Sequence, residues 1–166
     1  MSVPFADCTV WRLMTHHVNP SDALYRYVKE GWIGLGWNEI GDPGRFSSPQ
    51  ALGEAVRATG NRNWPSAGKQ IWRFMHEMSR EDLVILRGGG RSVVMRVTGD
   101  WNFEPNQDVR VSYANRRPAG ATNLDPRELW KRAGGMKQGD SIRLTLIRGA
   151  HSVNLKEAGK DENEST

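Results

Sequence analysis

Gly31-Trp32-Ile33-Gly34-Leu35-Gly36-Trp37, running on into Asn38-Glu39-Ile40-Gly41-Asp42, is the stretch on which the fold turns. Residues 32–37 form an apolar run too short for a helix and bounded by glycine, so they read as a short buried strand. The internal Gly34 and Gly36 suggest close approach of another backbone or of a ligand. Upstream, Asn19-Pro20-Ser21-Asp22 supplies a capping residue and a proline at the first helical position. Leu24, Tyr27 and Val28 then share one helical face, and Gly31 ends the helix. Before it, Thr9–Met14 reads as a first strand, and after the apolar run Gly41-Asp42-Pro43-Gly44 is a turn.

Working on towards the C-terminus, Ser47-Ser48-Pro49-Gln50 opens a second helix carrying Leu52, Ala55 and Val56 and ending near Gly60. Residues 61–66 read as loop. Residues 67–78 place Ile71, Phe74, Met75 and Met78 at helical spacing. Leu83–Leu86 is a strand, Gly88-Gly89-Gly90 a hairpin tip, and Ser92–Val97 the return strand, which residues 99–103 continue. Residues 109–113 alternate like a strand, whereas 115–121 look like loop. Asp125-Pro126 opens a short helix through Leu129 and Trp130, and residues 142–147 form a last strand. This order gives one α+β domain over residues 1–155, with a twisted, mostly antiparallel barrel-like sheet and helices packed around it. Residues 156–166 form a polar tail expected to be disordered.

The 166 residues suit one hydrophobic core. A signal-like basic and apolar N-terminus is missing, as is an apolar run long enough for a membrane span, so a cytoplasmic protein is expected. A lone cysteine, Cys8, makes neither an internal disulfide nor a cysteine-based zinc site. Net charge is +4, but the last eleven residues carry four acids and two lysines, leaving the body at +6. A basic body suits a polyanion, and it equally suits simple solubility.

Catalytic motifs are missing. There is no Gly-x-Ser-x-Gly elbow, the glycine triplet lacks the Lys-Ser/Thr of a phosphate loop, and His16, His17, His76 and His151 have no ligand spacing. No catalytic residue, metal or cofactor is therefore expected. The seven tryptophans among fourteen aromatics carry more information. Trp11, Trp72 and Trp130 sit among apolar neighbours and read as core. Trp37, Trp64 and Trp101 lie at element ends beside Asn38-Glu39, Asn61-Arg62-Asn63, and Asp100 with Asn102. A ring beside such residues can stack on a base and hydrogen-bond its edge, or it can cap a core. Arginines and lysines cluster nearby: Arg45, Arg62, Lys69 and Arg73 around the Trp64 region, Arg87 and Arg91 about the glycine tip, Arg116 and Arg117 after Trp101. They suit phosphate contacts, or they are an ordinary solvated face.

Residues 30–42 resemble the "G-[YWI]-I-x-[IL]-G-W-[DN]-E-[IL]-G-D" stretch of EVE-like domains, which stand at the N-termini of McrB-type modification-dependent restriction proteins. Gln70-Ile71-Trp72-Arg73-Phe74 with Glu81-Asp82-Leu83-Val84-Ile85 is similar to that family's "Q-x-W-x-F … G-D-x-V" segment. Val97-Thr98-Gly99-Asp100-Trp101 resembles its "V-T-G-[DE]-Y" strand, and Tyr113-Ala114-Asn115-Arg116-Arg117 its "Y-x-H-R-R" segment. The resemblance spans residues 9–148. It implies a PUA-like fold related to YTH domains, and the reading of a modified base flipped into an aromatic cage. Methylated adenine or a 5-substituted cytosine in duplex DNA is the implied ligand. Any nuclease or AAA+ motor activity would belong to a partner or another domain.

The resemblance carries Trp37, Asn38, Asp42, Trp101, Tyr113 and Asn115 into the base pocket, with Trp32 and Trp64 added on chemistry alone. Three residues depart from the pattern: Trp101 stands for Tyr, Asn115 for His, and Glu81 for Gly at a turn. The alternatives are an RNA-binding YTH or PUA-like module, an ASCH-like nucleoside hydrolase using groups such as Lys69 and Glu77, and a protein-interaction domain whose tryptophans are all core.

Overall fold

The computed structural model describes residues 9–16, 18–62, 64–105, 113–135 and 144–147. Among them the elements are β1 (Val10–Met14), α1 (Pro20–Glu30), β2 (Trp32–Leu35), α2 (Pro49–Ala58), α3 (Trp64–Trp72), β3 (Leu83–Gly88), β4 (Arg91–Val97), β5 (Asn102–Phe103), β6 (Asn115–Ala121), α4 (Pro126–Gly135) and β7 (Leu144–Ile147). Two single 3-10 turns, Asn38–Ile40 and Pro43–Arg45, occupy the expected turn after β2. The strands run in the order β2-β6-β4-β3-β1-β7, with β5 on β6, and curl into a half-barrel. β1 lies parallel to β3 and β7, and the other pairings are antiparallel. The expected strand alternation at 109–112, the start of the last strand at 142–143 and the polar tail lie outside the described residues.

The helices sit where local chemistry puts them. Gly31 takes φ +81° and donates its N–H to Tyr27, closing α1. Ser48 Oγ accepts from Ala51 N at 3.0 Å at the start of α2. Asn19 precedes α1 as expected but contributes no side-chain cap. His16 instead holds the approach to the helix: its Nδ1 accepts from the N–H groups of Val18 and Asn19, both at 3.1 Å. α3 starts at Trp64, inside the stretch read as loop, because Pro65 falls in its first turn, where a missing N–H costs nothing. Its continuation, Arg73–Glu77, widens into a π turn closed by Met78 N on Arg73 O at 2.8 Å. Leu24, Tyr27, Leu52, Val56, Ile71 and Phe74 of these helices pack on Leu13, Ile33, Val84, Leu86 and Met95 of the sheet. Trp11 and Trp130 are buried and Trp72 is half-buried, in line with a packing role.

Two readings of the strands change. Residues 115–121, read as loop, form β6, which has partners on both sides. Its alternation is regular, with Asn115, Arg117 and Ala119 inward, but two of these three are polar, so hydropathy hides the strand. Residues 99–103 do not prolong β4. The chain leaves β4 at Val97, Thr98 N bonds to Pro118 O at 2.9 Å, and a side chain at Gly99 would meet the Pro118 ring at 2.6 Å. Asn102–Phe103 then pairs with Arg116 and Asn115 as a separate strand.

Gly89 and Gly90 have φ +60° and +80°, as a two-residue hairpin turn requires. The tip is not a free finger, however. A side chain at Gly88 would lie 2.2 Å from Thr15 Oγ1 and 2.3 Å from Pro20 O, and one at Gly89 would strike Ser21. The hairpin is packed on the start of α1.

Glu81 occupies the left-handed region at φ +74°, at the turn where the EVE-like pattern has glycine. A side chain there costs roughly 1 kcal/mol. Its Oε2 lies 3.5 Å from Arg96, an exposed pair of little worth. Glu81→Gly is therefore expected to stabilise the domain by about 0.5–1 kcal/mol, read as a higher midpoint in urea. A lower midpoint would mean that the ion pair outweighs the strain.

Candidate functional site

Beyond the C-terminal end of β2 three pieces of chain meet: residues 36–45, the segment around Trp101, and residues 113–115. Trp37 turns the first of these with φ +66°, a left-handed conformation that costs a bulky residue about 1–2 kcal/mol. The surrounding bonds impose it. Leu35 is paired with Asn115, Gly36 O accepts from Asn115 Nδ2 at 3.3 Å, and Asn38 Oδ1 accepts from Ala114 N at 3.2 Å. Trp37 packs one part of its ring on the core and leaves the rest exposed. Its indole N–H and the Asn38 amide nitrogen have no protein partner among the described residues.

Trp101 is also half-buried against the core, and its Nε1 donates to Asn115 Oδ1 at 3.4 Å. The far edge of its ring covers Gly44: a side chain there would lie 3.3 Å from Trp101 and 3.1 Å from Asp42 Oδ1. Asp42 is exposed and accepts from Gly44 N at 2.8 Å, so its carboxylate is held beside the Trp101 ring. Asp100, next in the chain to Trp101, takes two hydrogen bonds from Arg80, which hold its carboxyl below the usual range. That pair is fully exposed and is screened by salt.

Other expected pocket residues are placed differently. Trp32 is 7% exposed, with Tyr27 at 4.3 Å between centroids on one side and the Arg116 guanidinium 3.7 Å from its ring centroid. Neither neighbour leaves room for a base, so Trp32 is a packing residue and not a cage wall. Tyr113 is 3% exposed, stacked on His16 at 4.5 Å and 19°, with its ring also against Gly36. It serves as a floor beneath the Trp37 loop. The ring, rather than another backbone or a ligand, is what Gly36 admits. Asn115 is fully buried. Trp64 lies at the start of α3 with the Arg57 guanidinium over it at 5.1 Å, not in the loop cluster described above.

The basic residues divide as well. Arg62, Lys69 and Arg91 are exposed. Arg45 is exposed but ties back to its own loop through Ile40 O (2.7 Å) and Asp42 O (3.2 Å). Arg73 pairs with Glu77 at 3.5 Å, and Arg87 is half-buried. Arg116 donates Nε to Tyr113 O at 2.9 Å. Arg117 is 3% exposed, and one of its terminal nitrogens donates to Phe74 O at 3.0 Å and Met75 O at 3.4 Å. It caps carbonyls that the π turn leaves open and cannot reach a phosphate, which corrects its expected role. Burial lowers the pKa of both Arg116 and Arg117 from the ordinary arginine value, and both stay charged.

Residues 11–120 match the model of a domain of unknown function (DUF8426). The chain belongs to this family. The matched stretch contains every residue of the loop cluster and stops before α4. No curated protein and no solved structure matches the chain.

The roles of His16, Asp82 and Arg117 escape sequence reasoning. Asp82 is buried, and its carboxylate accepts from Trp11 Nε1 and Ser79 N at 2.9 Å each and from Thr9 N at 3.3 Å. Its one local signal is serine three residues earlier. The partners of His16 in the Tyr113 stack and of Arg117 at the π turn lie far along the chain. Among the described residues no group of three or more His, Cys, Asp or Glu is placed to hold a metal ion, and no helix is long and apolar enough to cross a membrane.

Proposed function

We propose that this domain is a cytoplasmic, non-enzymatic reader of a modified base in nucleic acid, with duplex DNA as its substrate and a PUA-like, EVE-related fold. One observation carries the reading: Trp37, strained and half-exposed, stands in a loop cross-linked to the segment that holds half-exposed Trp101. A flipped base costs a few kcal/mol to extrude, and stacking returns about 1–3 kcal/mol per ring, so two indoles offset the flip. A methyl group enclosed by them adds roughly 0.8 kcal/mol. The open amide of Asn38 and the carboxylate of Asp42 are the groups that can read the base edge. Glu81, left-handed where the EVE-like pattern has glycine, is in keeping with the resemblance. Exposed Arg62, Lys69 and Arg91 are the phosphate contacts in this reading. Cleavage, where it follows binding, is the work of a nuclease or AAA+ partner.

The test is fluorescence anisotropy at two salt concentrations. Matched duplexes carry no modification, N6-methyladenine, 5-methylcytosine or 5-hydroxymethylcytosine, and a methylated single-stranded RNA completes the panel. One modified duplex is expected to bind at least about tenfold tighter than its unmodified control, a difference of roughly 1.4 kcal/mol. Equal, salt-sensitive binding would reduce the domain to a basic surface. Preference for the RNA would move it to the YTH-like alternative.

A further inference from the structure

Asn115 stands in the expected pocket, yet its side chain faces no open space. The residue is fully buried and is hydrogen-bonded in the sheet between Leu35 of β2 and Phe103 of β5. Its amide has only one sensible orientation. Gly36 O can only accept, and the Trp101 indole N–H can only donate, so Nδ2 faces the first and Oδ1 the second. Both polar atoms are thus engaged inside the protein. With the residue fully buried, a base edge has no approach to the amide unless the packing around it opens.

We propose that Asn115 is the positioning residue of the site: its amide sets the plane of Trp101 against the Gly36–Trp37 backbone, and other groups read the base. This rests on the reading of Trp37 and Trp101 as a cage. The bridge joins the two walls through one planar group. Gly36 directly precedes Trp37, and Asn38 takes the neighbouring Ala114 N–H, so residues 36–38 are tied to residues 114–115 in both directions. A cage fixed in this way loses little conformational freedom when a base enters, which is how preorganisation raises affinity.

The chemistry required at position 115 is one donor and one acceptor on a compact side chain. Leucine has neither. Neutral histidine has both, and protonated histidine loses the acceptor.

The experiment follows the Trp101 indole N–H by NMR, assigned from the signal missing in Trp101→Phe, alongside the affinity for the preferred modified duplex. In Asn115→Leu the indole N–H is expected to exchange at least about tenfold faster, with affinity reduced about tenfold. Asn115→His is expected to restore both at pH 8 and to lose both below about pH 6, each read against the native chain at the same pH. Loss of affinity in Asn115→Leu with the indole still protected would mean that Asn115 reads the base itself, and would overturn the proposal. So would unchanged exchange and unchanged affinity. If Asn115→Leu does not fold, Trp101→Phe, which removes the donor and keeps a ring, is combined with Asn115→His below about pH 6, where the protonated imidazole has lost the acceptor. Affinity losses that are not additive support the bridge, and additive losses refute it. If the native chain binds no oligonucleotide, the reader assignment falls, while the exchange data still judge the bridge.

Discussion

Arg117→Ala is expected to lower the melting temperature by about 10 °C. The guanidinium is buried under β6 and donates to two main-chain carbonyls, Phe74 O and Met75 O, at the π turn. Removing it leaves both carbonyls without that donor and opens a cavity, at about 1–3 kcal/mol for each unpaired group. For a domain of this length each kcal/mol shifts the midpoint by roughly 2–4 °C. Arg117→Lys keeps the charge but not the forked donor, and should fall between the two. Arg62→Ala and Lys69→Ala, both at exposed positions, are the controls, with expected changes within about 0.5 kcal/mol. Those two should instead weaken nucleic-acid binding and flatten its salt dependence. An Arg117→Ala variant that melts like the native chain but binds poorly would return Arg117 to the phosphate-contact set.

Trp37→Gly should separate stability from binding. Glycine relieves the left-handed strain of about 1–2 kcal/mol, which offsets much of the lost ring packing at this half-exposed position. Binding of the modified duplex should nevertheless fall by about 10- to 100-fold, the equivalent of one lost stacking ring. Trp101→Ala should lose binding to a similar degree and stability as well, since its ring covers Gly44 and its N–H is bonded to Asn115. Trp11→Ala supplies the reference for a core tryptophan, being buried with its indole on Asp82. If Trp37→Gly destabilises the chain as much as Trp11→Ala does, Trp37 is core and the cage has lost a wall.

These expectations differ in how far the chain alone could have suggested them. The helix starts at Pro20 and Pro49, the left-handed stop at Gly31, the glycine hairpin and the strand after Ser79 are written in short-range chemistry: caps, fixed φ values and periodicity. Such signals act within a turn or two of chain, so sequence determined them, and with them the α+β class. It also singled out Trp37, Trp64 and Trp101, whose polar neighbours set them apart from core tryptophans, and the resemblance added Asn38 and Asp42. The tertiary structure decided what each candidate does. Asn115 and Arg117 face inward on a strand that hydropathy cannot show, because their partners come from Gly36 after β2, the Trp101 segment and the π turn, 14 to 79 residues away. Trp32, a pocket candidate on chemistry alone, is instead packed against Tyr27 and Arg116. A polar residue inside a core and one facing a ligand have the same composition and the same neighbours in sequence. What separates them is which distant groups satisfy their hydrogen bonds, and only the packed chain brings those groups together.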